Sequence, residues 1–144
     1  MKRLLISCSI LSVLGALAFS EERVPDAENV RALMRKKLSQ TQSVLEGIAL
    51  EDFDLIAKNA GALSATSQAA AWQVVATPEY TRQSAEFRRT CDDLAEQAKK
   101  KNLDAAALSY VKLTMQCVEC HKYVRSVRLS AVTPAEFERV ASTH

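Results

Sequence analysis

Glycine and proline are scarce in this 144-residue chain, which has three of each, and aromatic residues make up only 6% of it. The sequence contains no glycine-rich loop that could cradle a phosphate, and no low-complexity tract or internal repeat. No segment alternates between apolar and polar residues in the way typical of a β-strand. With 48% hydrophobic residues, the composition instead predicts one compact helical domain, long enough to bury a core.

The N-terminus has the parts of a secretory signal peptide. Met1-Lys2-Arg3 is basic, residues 4–19 form an apolar run, and Ala18 and Ser20 are small residues suited to cleavage. An uncleaved membrane anchor is an alternative, but the run contains three serines and is shorter than the about 20 apolar residues that a span needs. Lipidation at Cys8 is a further alternative, although Cys8 lies too early to leave a normal apolar region before it.

We therefore expect residues 1–20 to be a signal peptide and residues 21–144 to form the single domain of an exported, periplasmic protein without a stable membrane span. Removing Lys2 and Arg3 from the 19 basic residues leaves 17, which equals the number of acidic residues. A formally neutral chain argues against binding to nucleic acid and against strong long-range attraction of partners.

The most informative stretch is Cys117-Val118-Glu119-Cys120-His121. Two thiols three residues apart can each add to a vinyl group of one porphyrin while the adjoining imidazole ligates its iron. On a helix the three side chains project from one face, because residues three and four apart are neighbours there. The motif predicts one covalently attached haem c, bound through Cys117, Cys120 and His121. Export agrees with this, since bacterial c-type cytochromes are generally matured outside the cytoplasm.

Two other kinds of site use the same residue pattern. Cys-x-x-Cys-His can be half of a structural zinc site, for which Cys8, Cys91 and His144 are the remaining candidate ligands. Cys8 lies in the expected signal peptide, Cys91 falls on a packing face, and His144 is the last residue. A thioredoxin-like redox pair would lie near a βαβ pattern, which this sequence lacks.

The spacing of apolar residues predicts four long amphipathic helices. Asp26 can cap the first helix, whose predicted buried face has the charged residues Arg35, Lys36 and Lys37 between its members. The pair Glu51-Asp52 marks the turn into the second helix. The predicted buried faces are Val30, Leu33, Met34, Leu38, Leu45 and Ile48 in the first helix, and Phe53, Ile56, Ala57, Ala60, Leu63, Ser67, Ala70, Ala71 and Val74 in the second.

The third and fourth helices carry the clearest signals. Thr77-Pro78-Glu79 predicts a helix start with a capping threonine, and the residues that follow recur at alternating steps of four and three, as in the seam of a helical bundle. Asn102 or Asp104 opens the fourth helix, which runs to about Arg128, and Thr133-Pro134-Ala135-Glu136 predicts a short final helix. The predicted seam is Tyr80, Ser84, Phe87, Cys91, Leu94 and Ala98, and the predicted inward stripe of the fourth helix is Tyr110, Thr114, Cys117, His121 and Arg125.

Together these elements predict an all-α, up-down-up-down antiparallel four-helix bundle with haem c attached to the last long helix. In this architecture, and in Cys117-x-x-Cys120-His121-x-x-x-Arg125, the chain resembles the cytochrome c-prime and cytochrome c-556 family of four-helix-bundle cytochromes. The resemblance implies that Arg31 lies near a haem propionate, Met34 faces the distal side of the iron, and Arg125 lies beside the proximal histidine. Arg31 and Met34 are three residues apart where the family has four. A homodimer through the first two helices is also implied.

The sixth ligand of the iron decides the function. Met1 leaves with the signal peptide, and Met115 lies on the same helix as His121, rotated away from the opposite haem face. Met34 is therefore the only methionine that can reach the iron from another helix, although such a residue can also be an ordinary part of the core. His144 and the lysines of the first helix are weaker alternatives as ligands.

Two functions follow from the two states of that position. With Met34 as ligand, the sequence predicts an exported mono-haem c-type cytochrome that carries one electron between redox partner proteins. With the position open, it predicts a five-coordinate, cytochrome c-prime-like protein that binds nitric oxide or carbon monoxide. We expect no enzymatic activity, because His121 is assigned to iron and no other internal histidine remains to act as a base.

Overall fold

The computed structural model describes residues 26–69 and 72–131. Within these ranges the chain forms no β-strand and four α-helices: α1 (Ala27–Leu50), α2 (Phe53–Thr66), α3 (Pro78–Lys99) and α4 (Leu103–Ala131). The predicted all-α class is confirmed. The expected signal peptide, the short helix predicted from Thr133 and the terminal His144 lie outside the described residues.

Polar side chains define the helix starts. Asp52 Oδ1 accepts a hydrogen bond at 2.9 Å from an amide in the first turn of α2, and Thr77 Oγ1 accepts one at 3.2 Å in α3. Asp26 caps α1 in the same way, and Asn102 caps α4. Each bond satisfies an amide that has no partner within its helix, so the predicted caps Asp26 and Thr77 are confirmed.

Consecutive helices pack against one another, α1 on α2, α2 on α3 and α3 on α4. Two left-handed residues, Glu51 and Lys101, each with φ 55°, end α1 and follow α3, which allows the short turns into α2 and α4. α1 and α4 also touch, but at far fewer points than the other pairs. The space between α1 and α4 is the place where the bundle is least filled by its own side chains.

The core of the described residues is built mainly on α2 and α3. All six residues of the predicted seam of α3 are buried, so that prediction is confirmed. Helix α2 ends at Thr66, and therefore the predicted face continues only as far as the buried Ser67, with Val74 beyond the helix. Ala70 and Ala71 lie outside the described residues. The buried apolar residues are Val44, Ile56, Ala60, Leu63, Trp72, Tyr80, Phe87, Cys91, Leu94, Ala95, Ala98, Ala106 and Leu113.

The predicted buried face of α1 is wrong at three positions. Leu38 and Leu45 are 59% and 50% exposed, whereas Lys37, which we expected between the buried residues, is only 6% exposed. The buried line of α1 passes instead through Lys37, Val44 and Gly47. A lysine can occupy a buried position of this kind because its aliphatic stem packs against apolar residues while its ammonium group extends to a more favourable environment.

The inward stripe predicted for α4 is also rotated from the observed one. Among the side chains of α4 that the structure describes, the buried ones are Ala106, Ser109 and Leu113, whereas Thr114 and His121 on the predicted stripe are exposed. The predicted stripe therefore faces the space towards α1 instead of the core. None of the helices within residues 26–69 and 72–131 is long and apolar enough to cross a membrane.

Candidate functional site

Helix α4 presents the Cys-x-x-Cys-His motif in its C-terminal half. Cys117 and Cys120 are one helical turn apart, both are half-buried, and both are free thiols. His121 adjoins Cys120 and is exposed. The helix runs without interruption through all three residues, so their spacing in the sequence becomes a fixed spacing on one side of a rigid element.

A cavity of about 490 Å³ lies between α1 and α4 and opens at the motif. This volume falls within the range of about 300–1,000 Å³ that is usual for sites of small molecules and cofactors. Helix α1 supplies apolar and basic side chains to it, and α4 supplies a thiol and an imidazole. The residues that line this larger cavity are Met34, Arg35, Lys37, Leu38, Thr41, Tyr110, Thr114, Cys117 and His121.

A smaller cavity of about 200 Å³ adjoins the first. Met34, Lys37 and His121 line both cavities, whereas Cys117 opens only to the larger one and Cys120 only to the smaller one. The two thiols therefore line different, adjoining cavities, and the imidazole lines both. The residues that line the smaller cavity are Val30, Met34, Lys37, Trp72, Val74, Tyr80, Cys120, His121, Val124, Arg125 and Arg128.

The surroundings of His121 favour the neutral form of its imidazole. Partial burial lowers the pKa of His121, and the positive charges of Lys37 and Arg125 lower it further. A neutral imidazole has a free lone pair on one ring nitrogen, and this lone pair is what a metal ion binds. At neutral pH the side chain is therefore in the protonation state that a metal ligand requires.

Cys120 and Cys91 have different surroundings. Burial raises the pKa of the Cys120 thiol, an effect that the nearby Lys37 charge opposes and Cys117 adds to. Cys91 lies wholly in the core, where burial raises its pKa to about 12. Cys91 lines neither cavity, so its assignment as a packing residue agrees with its position.

Lys37 is the main residue of the site that the sequence analysis did not identify. Its Nζ lies 4.7 Å from the ring centroid of Trp72 and 4.3 Å from that of Phe87, and it forms no ion pair with a carboxylate of the described residues. The negative faces of the two rings stabilise the ammonium group, which would otherwise be buried without a partner. A positive charge is thus held at the boundary between the two cavities.

The aromatic wall of the smaller cavity is fixed by hydrogen bonds. Trp72 Nε1 donates to Ser84 Oγ at 2.9 Å, and the Tyr80 hydroxyl donates to the Trp72 carbonyl. Burial and then the neighbouring Cys120 raise the pKa of Tyr80 to about 12, so this hydroxyl stays protonated and keeps donating. Trp72 is the only tryptophan of the chain, and that was the one sequence signal that could have drawn attention to it.

The two arginines singled out in the sequence lie in different places. Arg125 lines the smaller cavity one turn beyond His121, together with Arg128. Arg31 is exposed and is not among the residues that line either cavity; the basic residue that α1 places against the larger cavity is Arg35. A role for Arg31 beside a propionate stays a prediction.

The residues present fit a haem group. A porphyrin is a flat apolar plate that takes two thiols at separate points of its edge and an imidazole at its centre, and Cys117, Cys120 and His121 line the two adjoining cavities. Within the described ranges, no three His, Cys, Asp or Glu side chains are arranged to hold a single metal ion. Comparison with known proteins found no matching protein-family model, no matching curated protein and no matching solved structure.

Proposed function

We propose that the chain is an exported, periplasmic c-type cytochrome that carries one electron between redox partner proteins. The observation that carries this proposal is the space between α1 and α4, which Cys117 and His121 enter from one side and Met34 from the other. When bound, the haem would supply an iron that accepts and releases one electron. The protein would hold it, set its potential and exclude water.

The two thiols would form the covalent attachment. Cys117 and Cys120 are half-buried, free and open to adjoining cavities, which suits two thioether bonds at separate points of one macrocycle. The same arrangement is a poor fit to zinc, whose four ligands converge on one ion. His121, whose surroundings favour its neutral form, would be the proximal ligand.

Met34 would be the distal ligand. It lies on α1, opposite the motif, and it lines both cavities together with His121. Histidine and methionine ligands together favour a low-spin iron and a raised potential, which suits an electron carrier. An electron carrier does not need an open coordination position on its iron, and Met34, across the cavity from His121, would occupy the sixth position.

The fold we propose is the up-down-up-down antiparallel bundle with haem c on α4. Only residues 51–52 separate α1 from α2, and residues 100–102 separate α3 from α4. Such short connections favour antiparallel neighbours in helical bundles. In this topology α1 and α4 lie side by side, and haem would fill the space that their side chains leave.

The second candidate function is that of a five-coordinate haem protein that binds nitric oxide or carbon monoxide. The larger cavity favours it, because Leu38 of α1 lines that cavity as well as Met34 and offers an apolar surface to a small gas. The two functions differ only in whether the Met34 sulfur binds iron, and a visible spectrum of the oxidised protein separates them.

Mass spectrometry of the exported product tests the proposal. We expect the mature chain to carry the added mass of one haem that stays bound on denaturation, because thioether bonds survive unfolding and coordination bonds do not. Cys117→Ser with Cys120→Ser should abolish the added mass. Cys91→Ser is the matched control and should retain it. A bare polypeptide mass in the exported protein would overturn the proposal.

A further inference from the structure

Four exposed apolar side chains run along the outer side of α4. Their exposed fractions are 72%, 59%, 53% and 43%, and they follow one another at steps of three, four and three residues. Exposed apolar residues that stand singly are common, but a continuous line of them marks a contact surface. We call this line the outer seam: Leu108, Val111, Met115 and Val118.

The outer seam lies on the side of α4 opposite the core. Each residue turns an α-helix by about 100°, so Met115 is rotated by about 200° from the fully buried Leu113. Helix α4 is therefore apolar on two opposite sides, of which α3 covers one. Alternating steps of three and four are the pattern by which one helix packs along another, so the side that no described residue covers has the pattern of a helix-packing surface.

Charged residues at the two ends make the outer seam symmetrical. Asp104 lies four residues before Leu108, and Lys122 lies four residues after Val118, and both are exposed. Along α4, an acidic residue is therefore followed by four apolar residues and then a basic residue. The steps between them are four, three, four, three and four residues, and this order is the same in either direction. Read backwards, the apolar pattern is unchanged and the charge at each end changes sign.

We propose that the outer seam binds the outer seam of a second copy of this chain, with the two α4 helices antiparallel. This arrangement places Leu108 against Val118 of the second copy and Val111 against Met115. Asp104 then lies beside Lys122 of the second copy at both ends. A parallel arrangement would instead bring the two Asp104 side chains together, and like charges disfavour it. One patch that is complementary to itself under a twofold rotation is what a symmetrical dimer requires.

This dimer differs from the one that the family resemblance implies, which uses the first two helices. It also does not depend on haem, because the outer seam is a property of the polypeptide. Its failure and the failure of the proposed function are therefore separate results.

Sedimentation velocity of the full chain over a range of concentrations tests the proposal. We expect a monomer–dimer equilibrium that Val111→Glu weakens by about tenfold or more, because a carboxylate would be buried against Met115 of the second copy. Leu50→Glu is the matched control, since Leu50 is 68% exposed at the end of α1, and it should leave the equilibrium unchanged. A chain that is monomeric at every concentration overturns the proposal, as does a dimer that Val111→Glu leaves intact.

Charge exchange tests the antiparallel arrangement. Asp104→Lys alone and Lys122→Asp alone should each weaken the dimer, because each places like charges together at both ends. An equimolar mixture of the two variants should recover association as a heterodimer, because every end pair is then opposite in charge. In a parallel dimer the mixture would also pair opposite charges. Asp104→Lys alone, however, would replace two facing aspartates by two facing lysines and would change the association little. Unchanged association of both single variants would therefore overturn the antiparallel arrangement.

Discussion

Lys37 holds a positive charge at the boundary between the two cavities, over the rings of Trp72 and Phe87. In the proposed cytochrome, reduction of the haem would add a negative charge, which the buried Lys37 cation would stabilise. We therefore expect Lys37→Met to lower the midpoint potential by an amount on the order of tens of millivolts, measured by a spectroscopic redox titration. Lys36→Met removes the same charge from an exposed neighbour and should change the potential little. Equal effects of the two variants would show that Lys37 has no special influence.

Met34 and Met115 form a second matched pair. Met34 lines both cavities from α1, whereas Met115 is 53% exposed on the outer side of α4. Met34→Ala should remove the methionine–iron charge-transfer band of the oxidised protein and produce a high-spin iron that binds carbon monoxide. Met115→Ala should leave the spectrum as it is. If Met34→Ala also leaves it unchanged, the gas-binding function with an open sixth position replaces electron carriage.

At the scale of single residues, the sequence identifies candidate site residues when they lie close together in the chain at a characteristic spacing. Cys117, Cys120 and His121 could be singled out because the three lie within one turn and a half of α4. Lys37 and Trp72 could not, because they are 35 residues apart and meet only when α1 packs beside the segment before α3. An analysis of hydrophobic periodicity counts lysine as a polar residue, so it cannot show that the aromatic rings of Trp72 and Phe87 lie next to the ammonium group of Lys37.

Helix α1 turns into α2 at a point where only glycine fits. A Cβ atom on Gly47 would lie 2.8 Å from Ile56 Cγ1 and 3.1 Å from the Asp52 carbonyl oxygen. We expect Gly47→Ala to reduce the free energy of unfolding by about 1–3 kcal/mol, because the turn and Ile56 must shift. Denaturant unfolding followed by circular dichroism measures this.

Gly61 is the control for that substitution. It lies inside α2, and a Cβ atom there would have no heavy atom within 4 Å apart from its chain neighbours and the backbone of its own helix. Gly61→Ala should therefore stabilise the protein, by up to about 1 kcal/mol, since alanine favours the helix and restricts the unfolded chain. If both substitutions change the free energy of unfolding by the same amount and sign, the close approach of α1 and α2 is not what excludes a side chain at Gly47.

A hydrogen bond between Asp93 and Ser109 links α3 to α4 and makes stability depend on pH. The Ser109 hydroxyl donates to Asp93 Oδ2, and this bond, followed by that from Gln97, lowers the pKa of Asp93 below its usual value of 3.8. Because the folded-state pKa is lowered, the stabilisation is fully present above pH 3.8 and is lost as pH falls through the folded-state value.

Ser109→Ala should therefore reduce the free energy of unfolding at neutral pH by about 0.5–1.5 kcal/mol. The difference from the unaltered chain should shrink as pH falls below 3.8, in urea unfolding measured across the acid range. Ser126→Ala removes a hydroxyl whose bond, at 2.7 Å, is to the Tyr123 carbonyl, and any effect it has should not vary with pH. A Ser109→Ala difference that persists undiminished in acid would contradict the link.

At the scale of helices, periodicity succeeds where the apolar residues of a helix form one stripe and fails where they lie on two opposite sides. Helix α3 is packed between α2 and α4, and its seam could be predicted in full. Helix α4 has apolar residues on its core side and on its outer side, and a single stripe could not describe both. In α1 the space beside α4 leaves Leu38 exposed while Lys37 is buried, which no average over residue types predicts.

In the proposed cytochrome, haem would have a structural role as well as a chemical one. Helix α1 is attached to the rest of the molecule mainly through α2, because it meets α4 at few points. The space between α1 and α4 is about 490 Å³ in its larger part, and side chains from both helices line it. A group that fills this space would join α1 to α4 through contacts that the polypeptide does not make by itself.

Removal of the attachment should therefore loosen α1 before the other helices. We expect Cys117→Ser with Cys120→Ser to lower the free energy of unfolding by at least about 2 kcal/mol, comparable to leaving a cavity in a core. Amide hydrogen exchange should quicken most in α1 and least in α3, which is packed on both sides. Glu119→Gln lies within the same motif, is exposed, and should retain haem, stability and the exchange pattern. If loss of haem quickened exchange equally in all four helices, the space between α1 and α4 would not be where the cofactor joins the bundle.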